Sequence, residues 1–542
     1  MPKGASLVVQ DAYDYIIVGA GAAGSVLANR LTANPTVSVL LLEYGGRDLN
    51  PMLYIPKGFY FTLNGDRYTY QYPTKPFKAD GTGESWTRGK VLGGSTSVNG
   101  MMYARGSKQH YDKLVKLGNP GWGWDDMLPI YLQMEDHQLG ASPMRGAGGP
   151  YGISLPEVDE AAKLVLESAR SIGMKVVADT NAESGERIGM TPSSIKNGKR
   201  VSAASAFLHP IRHRANLTVL NRTRVGQLLF DGNRVIGVRA RRRGQQIEVR
   251  ARREVLVSAG TIESTMLLER SGIGRGDVLS RAGIRLRVES PNVGERAIEQ
   301  RGATMQVKFK RPVGRTEDLN TLPKQGWEGF KYLLTRRGPV SDAGYNILAG
   351  IASSPEHADH VDIQGLFVPL ALDATSFDSV KLAKHSGVMF LAYGITPTTT
   401  STIHVTSADP DALPEIDAHY LETEEDQRVG SRLLDKAREV FAAEPIVDLI
   451  QEEEFPGPAV STHEQVLAYA KDPGATIYHA IGANGMGPND DDVIDFRLRV
   501  RGVSGLRVID ASSFPIQVSG NTAAPTMALG WRGAELIAEE DA

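Results

Sequence analysis

An apolar, β-branched run, Tyr15-Ile16-Ile17-Val18, ends in Gly19-Ala20-Gly21-Ala22-Ala23-Gly24, after which small and apolar residues at helical spacing continue to Leu31. The chemistry open to such a turn is the grip on a pyrophosphate. Gly19 lets the chain turn, Gly21 lets the backbone approach the phosphates, and Gly24 lets helix and strand pack closely. The helix N-terminus offers unpaired N–H groups to the negative charge. A second strand, Val37 to Leu42, ends in Glu43, 24 residues beyond Gly19, where a carboxylate can accept hydrogen bonds from both ribose hydroxyls. The spacing predicts a site for an adenine dinucleotide, with the turn silent between FAD and NAD. A second glycine-rich stretch, Thr87 to Gly106, holds Gly93-Gly94-Ser95-Thr96 at its centre. Paired glycines followed by small hydroxyl residues make a backbone that can lie flat against a large planar or phosphorylated ligand.

The elements around these turns must form more than one lobe, because 542 residues exceed a single ordinary core. A composition of 41% apolar and 23% charged residues is that of a soluble globular protein. A formal charge of −3 gives no electrostatic reason to expect nucleic acid or an anionic membrane as partner. The chain has no cysteine, which excludes disulfides, thiolate metal sites and cysteine nucleophiles and suits a cytoplasmic location. No stretch reaches the ~20 apolar residues of a membrane span, and the N-terminus has no apolar run of signal-peptide length. The acidic runs Glu452 to Glu454 and Asp490 to Asp492 lack the spaced oxygen ligands of a calcium loop, so no metal is expected.

Further along, residues 51–80 are rich in Tyr, Phe, Pro and Gly without a sustained period, which predicts a long excursion or lid whose aromatics pack the loop down. A turn and then a helix started by Asp125-Asp126 are expected within 117–135. An amphipathic helix is expected between Ser154 and Val176, with strands around Asn216–Val219 and Val235–Val238. The basic runs 239–243 and 250–253 bracket Gly244-Gln-Gln and read as a solvated hairpin rather than a nucleic-acid patch. Arg252 to Ala259 reads as a buried strand returning to the nucleotide sheet. Residues 300–450 alternate longer strands, such as Thr304–Lys310 and Thr402–Thr406, with helices such as Glu424–Ala442. Pro525 and the apolar period of Met527, Leu529, Ala534 and Ile537 predict a C-terminal helix.

The stretch GKVLGGSTSVNGMMYARG, followed by Asp112, resembles the first signature of the glucose–methanol–choline (GMC) oxidoreductases, and Gly260 to Gly274 resembles the second, with Thr265 where Ser or Pro is usual. The fingerprint, both signatures and the C-terminal region follow the family's order over essentially the whole chain. The resemblance implies an α/β (α+β) fold, with a Rossmann-like FAD-binding domain over 1–155, 200–299 and 455–542. It adds a discontinuous substrate-binding domain over 156–199 and 300–454, an antiparallel sheet backed by helices. It also implies FAD as cofactor and a small-molecule alcohol as substrate, with O2 or another acceptor reoxidising the flavin. Cofactor contacts are then expected at Gly19, Gly21, Ala22, Ala23, Gly24 and Glu43, and at Arg88, Val91, Gly93, Gly94, Ser95, Asn99, Gly100 and Met101. Later contacts are expected at Val225, Ala259, Gly260, Asp510, Ala511, Asn521, Thr522 and Ala523. Some relatives tether the flavin through a histidine just before the Asn; here that position is Val98, which implies non-covalent FAD, with His110 the nearest other candidate. After Val293-Gly294-Glu295 the run Arg296-Ala-Ile-Glu-Gln departs from the family's Asn-Leu-Gln-Asp-His.

By the same resemblance His479 takes the position of the catalytic base and Asn521 the second active-site position. Oxidising an alcohol needs a base for the hydroxyl proton and an acceptor for the hydride. An imidazole titrating near neutrality supplies the first and flavin N5 the second. Asn521 would orient the substrate oxygen and stabilise its developing charge, and the C-terminal helix would turn its positive end to the flavin. His404 and His385 are the next candidates for the base. Two other readings on this scaffold are a cyanohydrin lyase and a light-driven decarboxylase. The latter's proposed chemistry involves a cysteine, which this chain lacks. A pure binding module would not need the pair.

Overall fold

The computed structural model describes residues 11–354, 359, 361–373 and 381–541. It opens with β1 (Ala12–Val18), α1 (Ala22–Leu31) and β2 (Val39–Glu43). β2 is buried at every position, and its unbroken run of apolar residues before Glu43 is that of a parallel strand covered on both faces. Beyond β2 lies β3 (Leu217–Asn221), also parallel. The chain then forms an antiparallel meander of β4 (Thr223–Asp231), β5 (Arg234–Arg242) and β6 (Gln245–Val257). The last half of β6 runs into the parallel sheet, pairing with β1 from Ala12↔Arg250 to Val18↔Val257. The short strand Leu506–Val508 joins β6 on its other side. Arg243 and Gly244, both at positive φ, make the tight turn between β5 and β6. Arg239 pairs with Glu248 and Arg241 with Asp411, so the basic runs are the solvated hairpin that the sequence suggests.

At the head of this sheet a side chain at Gly24 would run into the Gly19 carbonyl and the side chain of Ile17. That close approach lets α1 lie on β1. Helices α2 (Thr261–Arg270) and α3 (Ala523–Asp541) follow β6 and the C-terminal strand. α3 packs on α1 through Gly530, where a Cβ would come within 2.8 Å of the Ala23 Cα. Met527, Leu529, Ala534 and Ile537 are all buried, as their spacing predicts.

A second sheet holds β7 (Arg301–Phe309), β8 (Ile347–Ile351), β9 (Ile363–Val368), β10 (Gly387–Gly394) and β11 (Ile450–Phe455) in the order β11-β7-β10-β9-β8. It continues through Arg187–Met190, still antiparallel, to Lys175–Val176, which is parallel to its neighbour. Ala475–Thr476 also pairs with β7. Helix Glu160–Ser171 backs this sheet, and its Asp159 cap accepts the Ala162 N–H at 2.8 Å. The architecture is mixed α/β, with one largely parallel and one largely antiparallel sheet. No helix among the described residues is long and apolar enough to cross a membrane.

Two expectations need correction. The helix expected over 424–442 is two helices, Glu424–Gly430 and Asp435–Phe441. The first helix ends at Gly430, where a Cβ would meet the Leu421 and Leu467 side chains at 3.0 and 3.2 Å. The excursion over 51–80 is more ordered than its composition suggests. It carries three helical turns between Pro51 and Thr62, and the strand Thr69–Pro73 paired with Ser85–Gly89.

Because Gly24 has no room for a side chain, Gly24→Val forces α1 off β1. Thermal unfolding of the variant should report a loss of ~1–3 kcal/mol, the range of core overpacking. Dinucleotide affinity should fall with it, and an unchanged melting curve would mean that this contact is not tight in solution.

Candidate active site

A cavity of about 330 Å³ lies between the carboxyl ends of β1, β2 and β6 and the strands β9 and β10 of the second sheet. Its nucleotide wall is formed by Gly19, Gly21, Ala22, Ala23 and Glu43, with Val225, Ala259 and Gly260 beside them. Arg88, Gly94, Ser95, Asn99, Gly100 and Met101 form a second side. His479, Asp510, Ala511, Asn521, Thr522 and Ala523 close it from the C-terminal region. Three expected contacts lie behind this surface. Gly24 is held in the strand–helix contact described above. Val91 is fully buried against Leu53 and Val98. Gly93, at φ +88°, donates its N–H to the Ala20 carbonyl at 2.8 Å and so ties the second glycine stretch to the first.

The N-termini of α1 and α3 line the cavity, as does that of α2, which carries Glu263 in its first turn; α1 and α3 differ from it. Neither has an acidic residue in its first turn, and no side chain caps α1. Their N–H groups and positive dipole ends are therefore left for a ligand that carries negative charge. Glu43 sits at the tip of β2, and its carboxylate accepts the Ala20 N–H at 2.9 Å and the Gly45 N–H at 2.7 Å. Burial pushes its pKa up to about 7. Further out, Tyr44 and Tyr70 stack at 5.7 Å, and the Arg224 guanidinium lies 4.8 Å from the Tyr44 ring centre. Arg224 also pairs with Glu263 at 3.3 Å. Asp510 is buried and accepts the Gly260 N–H at 2.9 Å and the Ser264 hydroxyl at 2.5 Å, which joins the end of β6 to the C-terminal strand.

At the other end of the cavity stand His479 and Asn521. Gln300 donates its Nε2–H to the Ile395 carbonyl at 2.9 Å, which leaves its Oε1 to face His479 Nδ1 at 2.7 Å. Nδ1 therefore carries the proton, and the lone pair is on Nε2. Asn521 is oriented in the same way. Its Oδ1 accepts from Gln364 Nε2 at 2.9 Å, so its Nδ2 is the atom 3.3 Å from His479 Nε2. Gln364 reaches Asn521 because residue 520 is glycine; any Cβ there would overlap the Gln364 amide. Tyr393 accepts a second hydrogen bond from Gln364 at 2.6 Å, and its ring meets the imidazole edge-on at 6.0 Å.

The backbone under His479 is held by Glu299. This buried carboxylate accepts the N–H groups of His479 at 2.6 Å, Ala480 at 2.9 Å and Gln300 at 2.9 Å, and pairs with Arg88 at 3.2 Å. Tyr478, just before the histidine, is left-handed at φ 64°, a costly conformation for a non-glycine residue that this clamp sustains. Burial and the nearby Arg88 charge push the His479 pKa down to about 3. The imidazole is thus a free base far below neutrality, a correction to the near-neutral titration expected from its residue type. His404 and His385 lie outside the cavity, hydrogen-bonded to Glu269 at 2.7 Å and Glu454 at 2.9 Å.

Comparison with known proteins follows from this geometry. Family models described as GMC oxidoreductase match residues 13–300 and 397–530. The chain belongs to the GMC oxidoreductase family. Human mitochondrial choline dehydrogenase is 34% identical over 97% of this chain and 90% of its own. The alcohol dehydrogenase [acceptor] of Pseudomonas putida is 32% identical over 97% and 95%. Among solved structures, pyridoxine 4-oxidase from Mesorbium loti superposes with a TM-score of 0.87 at 28% identity, covering 97% of this chain and 99% of that one. Formate oxidase superposes with a TM-score of 0.89 at 25% identity, covering 98% and 99%.

The cofactor of this GMC oxidoreductase is FAD, and the residues present fit it. Two uncapped or acid-free helix N-termini suit a pyrophosphate and an electron-rich ring, Glu43 suits a ribose, and the Tyr44–Arg224 stack suits an adenine. Val98 lines the cavity where some relatives carry a tethering histidine, and a valine cannot be alkylated. His110 lies outside the cavity, against Ser107 at 3.0 Å. Five contributors escaped the sequence reading: Glu299, Gln300, Gln364, Tyr393 and Tyr345. Glu299 and Gln300 fall in the run that departs from the family pattern, and that departure was the one signal available. The lid also supplies more than packing, since Phe59, Leu63, Tyr70 and Tyr72 line the cavity.

Acid precipitation should release the yellow colour into the supernatant; colour kept in the pellet would mean a covalent linkage. The anaerobic flavin-reduction rate should stay flat between about pH 5 and 9, because neutral His479 is lost only as pH falls toward about 3. Gln300→Leu should slow reduction on the order of 10–10³-fold by freeing the tautomer. Gln300→Glu should instead move the acid limb upward, because a carboxylate on Nδ1 stabilises the imidazolium. An acid limb unmoved by that substitution would separate Gln300 from the base.

Proposed function

We propose that His479 is the base that takes the alcohol's hydroxyl proton and that Asn521 holds the alcohol oxygen. The observation that carries this reading is the pair itself, with Asn521 Nδ2 3.3 Å from His479 Nε2 on the cavity wall. An alcohol oxygen placed beside the pair on its cavity side, within hydrogen-bond reach of both atoms, gives its proton to Nε2 and accepts from Asn521 Nδ2 as negative charge develops on it. When bound, FAD supplies the hydride acceptor. As His479 gains the proton, its Nδ1–H stays on Gln300, so the ring does not turn during the step. Glu299 stays 2.6 Å from the His479 N–H and keeps the ring's attachment fixed. The wall of Tyr345, Tyr393, Leu366, Leu391 and Ile477 keeps water from the developing charge and receives the alcohol's carbon skeleton.

In this reading residues 1–155, 200–299 and 455–542 carry FAD, and residues 156–199 and 300–454 carry the substrate side. The cavity's two walls support that division. The product is an aldehyde or ketone, and O2 or another acceptor reoxidises the flavin. Relatives named as dehydrogenases and oxidases support a redox reaction and leave the lyase reading without support.

Primary, aromatic and polyol alcohols mixed anaerobically with the holoenzyme should bleach the flavin, with peroxide measured when air returns. His479→Ala should keep FAD but slow bleaching by ~10²–10⁴-fold, the usual worth of a positioned base. Asn521→Ala should cost less, on the order of 10–10³-fold, as for a lost oxyanion donor. Bleaching of His479→Ala at the wild-type rate would remove His479 from the role.

A further inference from the structure

The helix Leu322–Thr335 is built inside out. Its buried residues are Glu328 and Tyr332. Its exposed residues include Leu322 at 81%, Trp327 at 64%, Phe330 at 54%, Leu333 at 60% and Leu334 at 71%. At 100° per residue these five side chains, with Pro323 and Gly326, fall on one arc of roughly 140° that contains no charged residue. Lys331 and Lys324 border the arc on one side, paired with Glu328 at 3.3 Å and Glu317 at 3.5 Å, and Arg336 and Arg337 follow its C-terminal end. Tyr332 donates its hydroxyl to the Gly198 carbonyl at 2.8 Å, which brings the turn bearing Lys199 against the same helix. Lys199, Arg336 and Arg337 form no ion pair among the described residues. An apolar face of Trp, Phe and Leu with a cationic rim is the chemistry of a helix that lies in a membrane interface.

We propose that this helix seats the protein on the surface of an anionic lipid bilayer, its apolar arc among the acyl chains and its cationic rim on the headgroups. A second copy of the chain fits this face poorly, because a two-fold contact sets the same cationic rim against itself. The position also serves the cavity. The turn Pro339–Ser341 that follows the helix packs on the lid turn Pro56–Gly58, and Lys57 of that turn donates to the Ala343 carbonyl at 2.7 Å. The lid then delivers Phe59 and Leu63, and the helix side delivers Tyr345, to the cavity wall. Phe61, 74% exposed on the same lid, adds an aromatic side chain beside this unit. The small negative net charge of the chain does not oppose such docking, because attraction to headgroups is local and screened within about 10 Å.

The test is co-sedimentation of the holoenzyme with vesicles of phosphatidylcholine alone and of phosphatidylcholine mixed with phosphatidylglycerol. Binding is expected to the mixed vesicles, weakening as salt rises, and to exceed binding to phosphatidylcholine alone by ~10-fold or more. The Trp fluorescence should shift to the blue on binding, and Trp327→Phe should remove that shift. The double variant Phe330→Glu, Leu334→Glu should lose binding while reducing its flavin with a water-soluble alcohol at the wild-type rate. Failure of the wild type to bind either vesicle would overturn the proposal, as would binding unchanged in the double variant. So would a dimer in solution that the double variant dissociates, because it would assign the face to self-association.

Discussion

The Glu299 carboxylate is the constraint from which the rest of the site follows. Buried from water, it is satisfied by three backbone N–H groups and one guanidinium. An isolated carboxylate in such a place costs several kcal/mol, so these donors are obligatory partners rather than optional ones. They come from three distant stretches of chain: the segment entering β7, the segment of His479, and the first glycine-rich signature through Arg88. One side chain thereby fixes where the nucleotide lobe, the antiparallel sheet and the C-terminal region meet. The left-handed Tyr478 is the local cost of meeting there.

From that junction the polar order spreads outward. Gln300, the neighbour of Glu299, has one end of its amide anchored on the Ile395 carbonyl, so its other end can only accept from His479. Gln364, on β9, does the same for Asn521. Neither amide is charged, and neither competes for a proton. The site therefore presents one lone pair and one N–H2 group, each oriented by a neutral amide, and burial with the nearby Arg88 charge keeps the His479 pKa low.

What the sequence made legible follows from what is local in it. A glycine turn between strand and helix has its meaning within a dozen residues, and the positions of Gly19, Gly24 and Glu43 are those their spacing implies. The α3 period and the β5–β6 hairpin are local in the same sense. Glu299, Gln300 and Gln364 take their roles from contacts with segments far away in sequence; the departure at 296–300 marks the place of the first two without their roles, and nothing local marks Gln364. The aromatics of the lid looked like packing because their density has two explanations, and three of those side chains, Phe59, Tyr70 and Tyr72, turn out to line the cavity.

The order in which the cradle is assembled has a consequence for its biosynthesis. β1, α1 and β2 leave the ribosome before their partners, so β1 must wait for the second half of β6, and β6 for Leu506–Val508, before the sheet is closed. The second helix N-terminus, Ala523, follows later still in the chain. Contacts so remote in sequence form slowly, and domains begin to fold as they emerge. The dinucleotide turn thus stands ready with half of its cavity missing until the α3 N-terminus has been made. Emergence of Ala523, rather than of the turn, is the moment from which the cofactor can be fully enclosed.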